Sequence, residues 1–207
     1  MGLEDVLRVL KGFPERLGLN LRNPGDRFKW FLASLLFAKR ISYRIAEETF
    51  RRFVEEGLTT PSRIMEAGWS RLVEVLDSGG YVRYDFSTAS NLLEVAKKLL
   101  DEYGGDVDRI HELASDGKDL ERRLMEFKGF GPTAVNIFLR ELRDVWCKAD
   151  PAPSRLAVEV AGRLGLRDVK KFESKLVLLN LEYCKRSRCD ACPVRDYCTK
   201  SSKRIKP

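Results

Sequence analysis

Between residues 26 and 183 the apolar side chains recur at spacings of three and four, and glycine or proline stands wherever that pattern lapses. This spacing lines one face of an α-helix, whereas a half-buried strand needs alternation at two. Residues 26–38 carry Phe28, Phe31, Leu32, Leu35 and Leu36. Residues 42–56 follow with Ile45, Ala46, Thr49, Phe50 and Phe53, and Ser42 is placed to cap them. Pro61 and Ser62 open a short helix expected to end at Gly68; residues 70–77 form another, stopped by Gly79-Gly80. Residues 87–103 end at Gly104-Gly105, the usual left-handed stop. Segments 108–114, 119–127, 132–142, 154–164 and 169–183 complete the set. No convincing strand pair and no fixed-period repeat is visible, so the expected fold class is all-α with short polar links.

At 207 residues, 43% of them hydrophobic and 33% charged, the chain can build one or two compact cores and is not a disordered sequence. The longest apolar stretch, residues 30–38, is interrupted by Ser34. It falls far short of the roughly 20 residues of a membrane span, so no membrane role is expected. The opening MGLEDVLRVLKGF mixes acids with apolar residues, unlike a secretory signal, and lacks the hydroxyl residue of a myristoylation site. A cytoplasmic location is expected. With His111 the single histidine, a serine-histidine-aspartate triad or a multi-histidine metal site has almost nothing to work with. Many Glu, Lys and Arg residues and no glutamine point weakly to a thermophilic source.

The formal net charge is +7, and nearly all of the excess lies in the tail. From residue 184 onward Lys185, Arg186, Arg188, Arg195, Lys200, Lys203, Arg204 and Lys206 face only Asp190 and Asp196. Such a segment is either a solvated tail or a surface for a polyanion. It is also too poor in apolar residues to fold by packing alone, so something must staple it. Cys184, Cys189, Cys192 and Cys198 lie in this segment as C-x4-C-x2-C-x5-C. Zinc sites usually use two C-x2-C knuckles, and only one is present. Four separately aimed thiolates suit a 4Fe-4S cluster better. Zinc is the lesser alternative, and two disulfides are less expected still without an export signal. Cys147, beside Trp146, is expected to be a buried apolar residue.

Residues 124–135 read LMEFKGFGPTAV and join two helical patterns. Gly129 and Gly131 flank Phe130, which can plug between the helices, and Pro132 suits the first helical position. Both glycines permit positive φ and close backbone approach. The amides of Gly131 and Thr133 would face outward at a helix N-terminus, where a phosphate oxygen binds. A ligand-free helical hairpin would look similar.

Taken with the cysteine-stapled basic tail, residues 27–198 resemble the helix-hairpin-helix DNA glycosylases, specifically their iron–sulfur branch that includes endonuclease III. The order matches: several helices, the glycine hairpin, an aspartate about twenty residues later, two more helices, four cysteines. In that family a V-D-T-H-x-x-R segment carries the essential aspartate. Residues 148–156 read KADPAPSRL, so the resemblance makes Asp150 the catalytic carboxylate and Arg155 the following arginine. Breaking an N-glycosidic bond builds positive charge on the deoxyribose, and a carboxylate near C1′ stabilises that charge and activates water.

Three departures stand out. Thr133 occupies the place of the lysine that gives bifunctional members their strand-cleaving Schiff base, so water is the expected nucleophile. Lys128 and Lys148 are the possible substitutes. Ala152 replaces the family histidine, and the first cysteine gap is four residues where six is common.

A glycosylase flips its base and fills the gap. The resemblance assigns that task to residues 37–41, with Lys39 in place of a gap-filling glutamine. It also assigns residues 79–86, where Tyr81, Arg83, Tyr84 and Phe86 follow a glycine pair. It implies a lobe of residues 25–142 ending in the hairpin. A second lobe, residues 1–24 plus 143–207, would carry the cluster loop 184–198. Lys185, Arg186 and Arg188 would meet phosphates. The partner would be double-stranded DNA with a lesion or mismatch, bound by a monomer from a prokaryotic source. The activity implied is a base-excision-repair N-glycosylase. The alternatives are an endonuclease III-type glycosylase/AP lyase using a relocated lysine, a lesion-binding protein without catalysis, and a zinc-stapled DNA-binding module.

Overall fold

The computed structural model describes residues 2–199. Among the described residues eleven α-helices run in order: α1 Leu3–Val9, α2 Phe13–Arg16, α3 Pro24–Phe37, α4 Tyr43–Glu55, α5 Pro61–Ser78, α6 Asp85–Tyr103, α7 Asp108–Leu113, α8 Gly117–Met125, α9 Pro132–Arg140, α10 Arg155–Leu164 and α11 Val169–Leu179. A π-helical turn, Asn180–Cys184, continues α11, and 3-10 turns follow at Cys189–Ala191 and Arg195–Tyr197. No strand occurs among the described residues, and no helix there is long and apolar enough to cross a membrane. Lys200, Lys203, Arg204 and Lys206 lie outside the described residues.

The chain divides into two compact units, Leu19–Pro151 and Met1–Gly18 with Ala152–Pro207. The larger unit extends beyond residues 25–142 at both ends. At its start, Asn20 donates its amide to Asp26 at 3.0 Å and Arg27 holds the Leu21 carbonyl at 2.8 Å. At its end, the amides of Val145 and Trp146 return to the Leu142 carbonyl, so the chain stays with α9 up to Pro151.

In the larger unit α3 is buried on nearly every side, from Trp30 through Leu36. Its polar groups are satisfied inside: Ser34 donates to the Trp30 carbonyl at 2.8 Å, and the Trp30 indole donates to the Phe138 carbonyl at 3.2 Å. Phe31 is the centre of an aromatic cluster, stacked on Phe130 at 4.3 Å and edge-on to Phe127 and Phe138 at 5.4 and 5.2 Å. Each such ring buries a large apolar area, and the tilted pairs add about 1 kcal/mol apiece. The helical run 61–78 is broken at Gly68, whose φ of 69° and ψ of 173° no helix contains. The expected stop there is therefore real, although no loop separates the two pieces. Gly79 lies so close to α4 that a Cβ would stand 2.4 Å from the Thr49 Cα; only glycine permits this approach.

In the smaller unit α10 and α11 pack against each other, and Gly165 ends α10 in the left-handed region, φ 65°. Buried Glu173 accepts the Ser154 amide at 2.8 Å and so caps α10. The sequence pattern gave no sign of α1 and α2, which are short and held by tertiary bonds. The Phe13 amide donates to Ser174 at 3.1 Å, and Arg16 pairs with Glu182 at 2.7 Å.

Candidate active site

The glycine hairpin lies between α8 and α9. Phe130 is 1% exposed and plugs into the Phe31 cluster, as its spacing implies. Gly129 takes φ +84°, and a Cβ there would stand 2.8 Å from the Asn91 side-chain nitrogen. The positive φ selects glycine at this position, and a Cβ there would also displace the end of the Asn91 side chain. Gly131 behaves differently from the expectation. It is an extended N-cap with φ −79° and ψ −179°, and a Cβ there would meet open space. Positive φ is not its reason. The following turn must instead leave the surface in front of α9 clear. Gly131, Pro132 and Thr133 are all exposed. The first amides of α9 have no intrahelical acceptor, and the helix dipole makes this end favourable for an anion.

Seventeen residues beyond Thr133 stands Asp150, with its side chain 63% exposed. The segment before it is fixed from inside. The Trp146 indole donates to Asp108 at 3.0 Å, and Asp108 also takes both arms of the Arg27 guanidinium, Nε at 2.5 Å. Arg143 secures the other side. It donates to the Pro151 carbonyl at 2.8 Å and to the Arg140 carbonyl at 3.3 Å, and its Nε lies 3.6 Å from the Asp150 carboxylate. Its role was not legible beforehand, because the bonds run to backbone carbonyls that no motif records.

Lys148 is committed to α7. Its ammonium donates to the carbonyls of Ala114 at 2.6 Å, His111 at 2.9 Å and Glu112 at 3.4 Å, at the C-terminal end of α7. Cys147 is exposed rather than buried, because Trp146 takes the inward position of that turn. The Cys147 sulfur lies 3.6 Å from His111, whose ring stacks on Trp146 at 5.1 Å. Burial, then the Lys148 charge, holds the His111 imidazole below its ordinary pKa. Lys128, ahead of the hairpin, is exposed.

The two expected reading loops are joined by Tyr81. It is fully buried, and its hydroxyl donates to the Leu36 carbonyl at 2.7 Å, one turn before Lys39. Burial raises its hydroxyl pKa. Tyr81 therefore packs the loops together and does not reach outward. Lys39 and Tyr84 are half-buried, and Arg83 is exposed with its guanidinium 5.5 Å from the Tyr84 ring centre.

In the smaller unit Arg155 is exposed at the start of α10. Lys185, Arg186 and Arg188 are exposed on a turn that closes the π-helical segment. Its bonds run from the Lys185 amide to Asn180 at 2.8 Å and from the Arg188 amide to Tyr183 at 2.9 Å. Ser187 at its tip has φ 54°. Cys184, Cys189, Cys192 and Cys198 are all half-buried, and none of them is in a disulfide. Burial raises the Cys184 and Cys192 thiols above their ordinary pKa. The Arg163 guanidinium opposes the rise at Cys184. No group of three or more His, Cys, Asp or Glu among the described residues is gathered tightly enough to hold a single metal ion.

No protein-family model matches the sequence, and no curated protein matches it significantly. Solved structures do. One, titled as a non-covalent endonuclease III–DNA complex, is 20% identical with a TM-score of 0.58, covering 89% of this chain and 87% of that one. Another, titled as a trapped endonuclease III–DNA covalent intermediate in an estranged-adenine complex, is 20% identical with a TM-score of 0.51, covering 85% of each chain. The all-α arrangement around the glycine hairpin therefore has the fold seen in these endonuclease III structures.

Proposed function

We propose that this protein is a base-excision-repair DNA glycosylase that hydrolyses the N-glycosidic bond of a flipped base. The observation that carries the reading is that one unit of an endonuclease III-like fold presents both an unobstructed helix N-terminus at Gly131 and Thr133 and the exposed, anchored carboxylate of Asp150. The helix end grips a phosphate of the damaged strand. Asp150 faces C1′ of the flipped nucleotide, stabilises the oxocarbenium charge and takes a proton from the attacking water. Arg143 orients that carboxylate. Arg83, Tyr84 and Lys39 meet the distorted duplex, while Arg155, Lys185, Arg186 and Arg188 meet its backbone.

Water is the nucleophile in this reading. Thr133 cannot form a Schiff base, and the Lys148 amine already donates to three carbonyls. The chemistry of the donor set fits a 4Fe-4S cluster better than a single ion: Cys184, Cys189, Cys192 and Cys198 are four half-buried cysteines, none in a disulfide, and they are not gathered around one ion position. When bound, the cluster would staple this segment and hold the Lys185–Arg188 turn in place. Iron analysis and visible absorbance of purified protein test it; a colourless, zinc-containing protein would contradict it. The enzyme acts as a monomer on double-stranded DNA in the cytoplasm.

The test is a panel of end-labelled duplexes, each with one defined lesion or mismatch, divided into alkali-treated and untreated halves. The reading expects cleavage of at least one duplex, only after alkali. Cleavage without alkali would favour a glycosylase/lyase, with exposed Lys128 the remaining nearby amine. Binding to lesions with no base release would favour a non-catalytic lesion-binding protein.

A further inference from the structure

Arg163, near the end of α10, meets the cysteine segment at both of its ends. At the first end, its side chain and Cys184 line one groove of about 330 Å³, together with Glu159, Asn180 and Lys185. The guanidinium reaches the Cys184 sulfur as a hydrogen-bond donor and works against the rise that burial gives this thiol. At the second end, the Arg163 backbone carbonyl accepts the Thr199 hydroxyl at 3.2 Å, one residue beyond Cys198. One residue of α10 therefore touches the first cysteine and the residue after the last.

Packing supplies little else in between. Val194 is the single buried apolar side chain among the described residues from 184 onward. The ion pair of Asp190 and Arg195, at 3.3 Å, lies within the segment itself. Lys185 shares the groove but is exposed, so water and salt screen its charge. Arg163 is better placed, with its side chain 22% exposed. Glu159, one turn earlier on α10, takes one arm of the guanidinium. A guanidinium has further donors, so this bond leaves others for the sulfur. Four thiolates around a 4Fe-4S core make an anion, and reduction adds another negative charge. A cation held at one thiolate stabilises both states, and the reduced one more.

We propose that Arg163 is the positioning residue of the cluster segment: it docks both ends of the segment on α10 and offsets thiolate charge at Cys184. This rests on the 4Fe-4S reading above. It also assigns Glu159 a role, because its carboxylate draws on the same guanidinium and opposes that charge.

The experiment compares full-length, cluster-containing wild type with Arg163→Met, Arg163→Lys and Glu159→Gln. Two quantities are read: the rate at which visible absorbance is lost in air with an iron chelator, and the midpoint potential by spectroelectrochemistry. Arg163→Met should lose absorbance faster than wild type. Its reduced-to-oxidised ratio at a fixed potential should fall by about tenfold, or 59 mV for a one-electron couple. Arg163→Lys keeps the charge without the planar fork, so it should stay near the wild-type potential and still lose absorbance faster. Glu159→Gln should move the potential upward. Wild-type lifetime and potential in Arg163→Met would overturn the assignment and leave the cluster reading standing. Equal potentials in all four proteins would also overturn it, even with faster loss, since general loosening shortens the lifetime without moving a charge. If Arg163→Met takes up no iron, the potential of Glu159→Gln decides. Wild-type protein without iron would overturn both readings.

Discussion

The Lys148 ammonium donates to the Ala114 carbonyl at 2.6 Å, and this bond commits the amine closest in sequence to Asp150 to capping a helix. A Schiff-base nucleophile needs a free amine at the reacting carbon. Lys148 fills its donor capacity on the end of α7, and by the resemblance Thr133 occupies the position of the nucleophilic lysine of bifunctional glycosylases. Borohydride should therefore trap no covalent protein–DNA adduct. Lys148→Met should lower stability by about 1–3 kcal/mol through the unsatisfied carbonyls and leave base release per folded molecule within about twofold. Adduct formation that disappears in Lys148→Met would contradict this assignment.

The two hairpin glycines should fail in different ways. Gly129 has positive φ, and a Cβ would have to push the Asn91 side chain aside, so Gly129→Ala should cost about 1–2 kcal/mol in stability. Gly131 is extended with open space around it, so Gly131→Ala should change stability by less than about 0.5 kcal/mol. It should nonetheless weaken DNA binding several-fold, because the methyl stands before the helix end that receives the phosphate. Denaturant melts and anisotropy titrations of the pair separate the two effects.

Phe31 holds the hairpin from below through three rings. Phe31→Ala should destabilise the protein by about 3–5 kcal/mol, because Phe130 and Phe127 lose their shared partner. Hydrogen exchange of the amides at 127–131 should rise with it. An unchanged exchange rate there would show that the hairpin is fixed by other contacts.

His111 is the chain's single histidine, so its titration can be followed directly by NMR. Burial first, then the Lys148 charge, should hold its pKa below 6.5, and Lys148→Met should raise it. The sign for stability follows. The unfolded imidazole takes up its proton near 6.5, before the folded one does. This group's contribution therefore falls as pH drops through 6.5 and levels off below the folded value.

Much of this architecture was legible locally. Gly104 and Gly165 end helices in the left-handed region where the pattern stops, Gly68 breaks the run it was expected to end, and Phe130 is the buried plug that its flanking glycines implied. Features set by long-range bonds were not. Helix α2 has only four residues and depends on Ser174 and Glu182, far along the chain. Tyr81 looked like a reading residue until its bond to Leu36 placed it in the core, and Cys147 is exposed because its neighbour Trp146 is anchored on Asp108. The same holds for Arg143, whose partners are backbone carbonyls and the Asp150 carboxylate.

The central claim is that Asp150 acts on the sugar while the hairpin holds the strand, and Asp150→Asn tests it most directly. The residue is exposed and its side chain shape is preserved, so folding should be unaffected. On the duplex that the wild-type protein cleaves after alkali, base release by the variant should fall by at least about a hundredfold, with affinity for that duplex unchanged or increased. Base release at the wild-type rate would contradict the account.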